Sequence, residues 1–158
     1  MSAGGARIVI RQDDPTSPAL GELLALHVAF GRAHTPRENA HVLEPAALAA
    51  EAVTFWTAWD DDALAGMAAL RELATDQGEL KSMRTAPGHA RKGVGRALLA
   101  HVVATARTRG YTRISLETGT APPFAPANAL YERAGFVDCE AFGGYPASPH
   151  NRFMTLAL

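Results

Sequence analysis

With 158 residues, 47% of them hydrophobic and 20% charged, the chain has the composition of an ordered globular protein and ample length for one contiguous core. A formal net charge of -1 excludes a whole-molecule field drawing it to nucleic acid or an anionic membrane, so any anion site has to be a local cluster of cations. One cysteine, Cys139, excludes an internal disulfide framework and a thiolate metal cluster, and its use fits a reducing cytoplasm.

The opening residues 1–7 lack the apolar run of an export signal, and no stretch approaches the ~20 apolar residues of a membrane span, so neither export nor insertion is expected. Residues 7–11 alternate as a strand. Ser17 and Pro18 read as the cap and first turn of a helix carrying Leu20, Leu23, Leu24 and Val28 on one stripe. A loop at 35–39 leads to a second short helix expected over 44–52. Residues 53–59, β-branched and aromatic, and 63–72 read as a hairpin turning at Asp60, Asp61 and Asp62. Residues 79–85 read as the next strand. After a polar loop, 94–109 is the strongest helical pattern, with Val94, Leu98, Val102 and Ala106 on one face and Gly110 closing it. A strand at 113–117, a helix at 126–134 stopped by Gly135, and strands at 136–141 and 153–158 complete the order. Hairpins mixed with helical crossovers predict an α/β fold: one mixed sheet with helices on both faces, in a single domain over 1–158.

The turn Ala90-Arg91-Lys92-Gly93-Val94-Gly95-Arg96 sits between a strand and a helix. The first amides of a helix have no intrahelical acceptor and carry the positive end of its dipole. Glycines at 93 and 95 let a bulky diphosphate approach the backbone, and Arg91, Lys92 and Arg96 add charge, so a phosphate-bearing ligand is expected here. It is not a P-loop, because Val94 and Gly95 stand where Lys and Ser or Thr are needed. Nor is it a dinucleotide fingerprint, because Leu98 stands at the third glycine position. Read alone, the glycines could equally shape a loop entering a helix.

Residues 79–85 followed by Arg91-Lys92-Gly93-Val94-Gly95-Arg96-Ala97-Leu98-Leu99 resemble the acetyl-coenzyme A motif of the GNAT superfamily of N-acetyltransferases. Ala127-Asn128-Ala129-Leu130-Tyr131-Glu132-Arg133-Ala134-Gly135-Phe136 is similar to that family's second signature, in family order and spacing, and the clear resemblance covers 79–136. Two positions depart from the pattern. Ala90 replaces the first Arg or Gln of the glycine motif, with Arg91 one place later. Phe124 replaces an asparagine that often opens the second signature, leaving that contact to Asn128 or to backbone.

The resemblance implies the GNAT fold, with acetyl-CoA as cosubstrate and no metal. It implies that the strand before the glycine turn splays from its neighbour, so that backbone groups of Met83, Arg84 and Thr85 hold the pantetheine arm. Gly93, Val94, Gly95 and Arg96 would hold the pyrophosphate. An acceptor amine would attack directly in a ternary complex. Glu79 and then Glu117 are the candidates for taking its proton through water, and Tyr131 for protonating the departing thiolate. The acceptor is a primary amine of a small molecule or peptide; its pocket would lie near 34–42 and 142–152, where His41, Tyr145, His150 and Arg152 could orient a carboxylate. A homodimer through sheet edges is implied by the same resemblance. A non-catalytic acyl-CoA-binding module and a nucleotide-binding protein are the competing readings.

Other features invite less. His27, His34 and His41 recur every seven residues, but Pro36 interrupts any shared helix and no carboxylate completes a ligand set. Asp60, Asp61 and Asp62 suit a hairpin turn and lack an EF-hand frame. Cys139 reads as a buried small apolar residue in a strand, and Trp56 and Trp59 as facing opposite sides of theirs.

Overall fold

A computed structural model of the chain describes residues 7–41, 45–50 and 52–158. Seven strands form one sheet: β1 (Ile8–Gln12), β2 (Val53–Asp60), β3 (Ala63–Ala74), β4 (Gln77–Thr85), β5 (Arg113–Gly119), β6 (Val137–Asp138) and β7 (Asn151–Ala157), in the spatial order β1-β2-β3-β4-β5-β7-β6. β4 and β5 run parallel, while every other neighbouring pair is antiparallel. The reason is the connection. β2, β3 and β4 are joined by tight turns and so alternate in direction, whereas β4 reaches β5 through a helix, α3 (Val94–Thr108).

Adjacent residues of a strand point to opposite faces, and β2 uses this to build two cores. Trp56 and Ala58 pack with Ala68, Leu70, Ile114 and the α3 stripe Val94, Leu98, Val102 and Ala106. Phe55 packs on the other side with Met67, Ala69 and Leu20, Leu23 and Leu24, at the start of α1 (Gly21–His34). The short helix α2 (Pro45–Leu48) adds Leu48 to that second face. The first face also receives Tyr131 of α4 (Ala125–Arg133). Helices therefore cover both faces of a mixed sheet, as the element order predicts. Gly66 sits where α3 presses hardest on β3: a Cβ there would lie 2.8 Å from Val94 Cγ1 and 2.9 Å from the Arg84 carbonyl oxygen.

Several boundaries differ from the sequence reading, each for a local reason. Pro18–Leu20 forms a 3-10 turn before α1, and Ser17 caps it with its carbonyl, which accepts from the Leu20 amide at 3.0 Å, rather than with its hydroxyl. Of the helix expected over 44–52, residues 45–48 are helical, while Glu44 and Glu51 lie outside the described residues. The strand expected at 136–141 keeps two residues, because Gly143, Gly144 and Pro146 follow and the chain leaves the sheet after the Cys139 amide bonds Phe153. Cys139 is accordingly half-buried rather than a core residue. Trp56 is buried and Trp59 half-exposed beneath Arg11, on opposite faces as their odd spacing requires. Among the described residues no helix is long and apolar enough to cross a membrane.

Candidate active site

Parallel pairing between β4 and β5 runs only from Gln77–Arg113 to Leu80–Leu116. Beyond Leu80 the strands part, β4 staying with β3 and β5 with β7. A bulge accompanies the parting. Ala69 pairs with Lys81 but Met67 pairs with Arg84, so Ser82 and Met83 together oppose Ala68, and Ser82 takes a left-handed φ of 53°. The extra residue changes the parity of the strand, and Lys81 and Arg84, three apart, come to share the α1 face. It also leaves backbone N–H and C=O groups of β4 without a strand partner on the β5 side, and such groups need one.

A cavity of about 420 Å³ fills the gap. Met83, Arg84 and Thr85 of β4 form one wall and Glu117, Thr118 and Gly119 of β5 the other. Gly95 of α3 and Leu130 and Tyr131 of α4 close one side; His27 and Phe30 of α1 close the opposite one. At its Gly95 end the cavity meets the mouth of α3. Gly93 has φ 77°, a left-handed conformation that a side chain disfavours, and its carbonyl accepts the first intrahelical bond, from Ala97 at 3.0 Å. Among the described residues no side chain caps that end. The amides of Val94, Gly95 and Arg96 precede the first helical bond, so the positive end of the dipole faces outward. Arg91 and Arg96 are exposed beside it, whereas Lys92 is drawn away to Asp60 at 3.1 Å and His89 at 3.3 Å.

Tyr131 reaches the cavity from α4. It is 7% exposed, its ring packs near Phe136, and among the described residues its hydroxyl makes no hydrogen bond. Burial pushes its pKa up to about 12, against the smaller opposing effect of the Arg84 cation, so the phenol is a neutral proton donor at physiological pH.

The two candidate carboxylates have separate fates. Glu117 stands on the cavity wall. Its Oε2 lies 2.6 Å from His41 Nδ1, a residue 76 positions away. Burial raises the Glu117 pKa, and the His41 hydrogen bond opposes that rise. His41 stacks on Tyr145 at 4.8 Å, and its carbonyl accepts from Lys81 Nζ at 3.1 Å. Glu79 is not on the wall. It is fully buried, cross-strand from Arg71, which donates to it at 2.6 Å; Lys81 Nζ is 3.6 Å from its other oxygen, and the Tyr145 hydroxyl donates at 3.4 Å. That arrangement makes Glu79 a counter-charge for two cations.

Asn128 is likewise turned inward. Its amide nitrogen donates to the Gly119 carbonyl at 3.0 Å and its oxygen accepts from Thr118 at 2.8 Å, which ties α4 to the end of β5. Phe124, at the position where the motif often has asparagine, lines the cavity edge-on to Phe30 at 5.1 Å. Sequence reasoning set aside His27 and His41 as metal ligands and offered His41 only as a residue that could orient a carboxylate. His27 accepts from Arg84 Nε at 3.2 Å and is held neutral, its pKa pushed down to about 4 by burial, then by Arg84 and Lys81. Among the described residues no three His, Cys, Asp or Glu side chains cluster as metal ligands.

Comparison with known proteins agrees with this geometry. Residues 19–136 match the model of the acetyltransferase (GNAT) family. The chain is 44% identical over 149 residues to the uncharacterized N-acetyltransferase YedL of Escherichia coli, covering 94% of each. It is 44% identical to the uncharacterized N-acetyltransferase YsnE of Bacillus subtilis, over 94% of this chain and 99% of the relative. A Klebsiella pneumoniae structure assigned to the acyl-CoA N-acyltransferases superposes with a TM-score of 0.79 at 27% identity, over 97% of this chain and 99% of that one.

Proposed function

Because the chain belongs to the acetyltransferase (GNAT) family and is an N-acetyltransferase, we propose that it takes its acetyl group from acetyl-CoA bound across the mouth of α3 and the β4–β5 splay. The observation that carries the reading is the uncapped N-terminus of α3 opening onto a cavity that contains both a neutral buried phenol and a carboxylate. The residues present fit such a ligand. The amides of Val94, Gly95 and Arg96, with Arg91 and Arg96 beside them, suit a diphosphate. Backbone groups of Met83, Arg84 and Thr85, free on the β5 side, suit the amides of a pantetheine arm, and one N–H there polarises the thioester carbonyl.

The acceptor is a primary amine of a small molecule or peptide. Its ammonium gives a proton to the Glu117–His41 pair, directly or through water. With Glu117 ionised, His41 Nδ1 carries the shared proton, and the Nε2 lone pair is the base. The freed nitrogen attacks the thioester carbon; a C–N bond forms and the C–S bond breaks, the leaving sulfur takes the Tyr131 proton, and the second proton shed by the nitrogen restores the phenol. A non-catalytic acyl-CoA module is not favoured, since the relatives are named as N-acetyltransferases. The single cysteine supports a cytoplasmic setting. The exposed Val9 and Val137, on strands at the two sheet edges, support self-pairing into a homodimer. Isothermal titration with acetyl-CoA, followed by a thiol-release assay over an amine panel, tests the reading. No heat at millimolar acetyl-CoA would remove it.

A further inference from the structure

We propose that the acceptor is an amine that also bears a carboxylate, with the acid group held by the Arg84 side chain and the ammonium directed to the Glu117–His41 pair. The inference rests on the acetyl-transfer reading and adds a substrate class to it. It begins with the bulge at Ser82, which leaves the Arg84 backbone at the cleft while its side chain joins the α1 face. There the guanidinium lies 4.1 Å from the centroid of Phe30, and Nε donates to His27 Nδ1 at 3.2 Å. Both supports are neutral. A ring face and an imidazole lone pair orient the guanidinium without cancelling its charge.

Four other cations drawn into structure have acids, whereas Arg109 and Arg113 donate to the Thr54 and Thr155 hydroxyls. Arg71 meets Glu79 at 2.6 Å, Lys81 meets Glu79 at 3.6 Å, Lys92 meets Asp60 at 3.1 Å, and Arg152 meets Asp138 at 2.6 Å. Among the described residues no carboxylate forms an ion pair with Arg84, and neither Nη atom makes a hydrogen bond, although the residue is half-buried and lines the cavity. Burial accordingly pulls its pKa down from the usual arginine range. A cation held out of water without a counter-charge destabilises the free protein, and a bound anion relieves that. The two free Nη groups form a planar fork, which matches a carboxylate in two parallel hydrogen bonds.

Across the cavity, β5 presents the opposite sign. Glu117 is 8% exposed and paired with His41, and together they accept an ammonium. Positive on the β4 wall and negative on the β5 wall, the cavity is matched to a zwitterion. A simple alkylamine leaves Arg84 unpaired, and a diamine places a second cation against it, so both are selected against. The diphosphate of acetyl-CoA is not the anion that Arg84 awaits, because its place is at the α3 mouth on the other side of the strand.

The test uses the intact chain, acetyl-CoA and a thiol-release readout, with common α-amino acids and β-alanine each paired with its primary amide. The expected result is that acid-bearing amines are acetylated with kcat/KM at least about tenfold above their amides, since each amide forfeits a charge-assisted hydrogen-bond pair. Arg84→Gln should bring the acid down to the level of its amide; Arg84→Lys, which keeps charge but not the fork, should fall between. If Arg84→Gln does not fold, the acid-against-amide comparison in the unmodified chain gives the same answer. Equal turnover of acids and amides, equal slowing of both by Arg84→Gln, or acetylation confined to amines without an acid would overturn this inference while leaving acetyl transfer standing. Failure to bind acetyl-CoA would overturn both.

Discussion

Replacing Tyr131 with Phe removes one oxygen and nothing else that the fold uses. The ring keeps its packing near Phe136, and because the hydroxyl has no hydrogen-bond partner among the described residues, no buried group is orphaned. Stability at neutral pH should therefore change by less than about 0.5 kcal/mol. Catalysis should change far more. If the phenol protonates the leaving thiolate, kcat should fall by about 100-fold or more, the range of a positioned general acid, equivalent to about 2.7 kcal/mol of barrier. The KM for acetyl-CoA should hold, since the diphosphate contacts are elsewhere. Alkali gives an independent check. The buried phenol has a folded pKa of about 12 against an unfolded 10.0, so below pH 10 both states keep the proton and the shift has no effect. As pH rises from 10 towards 12 the unfolded chain loses its proton first, and this site removes about 2 to 3 kcal/mol of stability. Denaturant titrations at pH 7 and pH 11 on both proteins should show a smaller alkaline loss in Tyr131→Phe. A variant turning over within about threefold of the parent would refute the donor role, whatever its stability.

The two carboxylates should separate cleanly in parallel assays. Glu117→Gln should lower kcat about 100-fold by removing the carboxylate that orients His41 as the base, with little loss of stability, whereas Glu79→Ala should destabilise the fold by about 3 to 5 kcal/mol in chemical denaturation by leaving Arg71 and Lys81 uncompensated. His27 predicts acid sensitivity. Its folded pKa of about 4 lies below the ordinary 6.5 of a histidine, so stability present above pH 6.5 is lost as pH falls towards 4, by at most about 3 kcal/mol, and His27→Asn should flatten that loss in thermal melts. Gly93→Ala places a side chain at φ 77°, which should cost about 1 to 2 kcal/mol and weaken acetyl-CoA binding by titration calorimetry at least about tenfold as the helix mouth shifts.

Strands and helices were legible where their causes are local. The α3 stripe, the Val53–Asp60 run and the glycine stops are signals confined to a few neighbouring residues, and the structure has them within a few positions. The parting of β4 from β5 was expected only through the family resemblance. The bulge that accompanies it is one residue, Ser82, in a left-handed conformation that serine does not advertise. Without that parity change Arg84 cannot be placed on the α1 face, and the sequence therefore speaks only for its backbone. The fate of Glu79 was hidden in a register shift: pairing outward from a two-residue turn at Thr75 and Asp76 would set it opposite Glu72, and the irregularity between Glu72 and Ala74 moves it opposite Arg71. No local pattern could supply the His41–Glu117 contact, because it joins a loop to a strand 76 residues on. Likewise Asn128 was an apt amide in an apt motif, and only the packed end of β5 shows both its ends taken.

The account stands on the α3 mouth as a diphosphate site, and a crystal structure with acetyl-CoA bound reads that directly. The expected density has diphosphate oxygens within about 3 Å of the amide nitrogens of Val94, Gly95 or Arg96, with the thioester sulfur next to the Tyr131 hydroxyl. Diphosphate bound away from those amides, or an acyl chain that does not enter between β4 and β5, would contradict it.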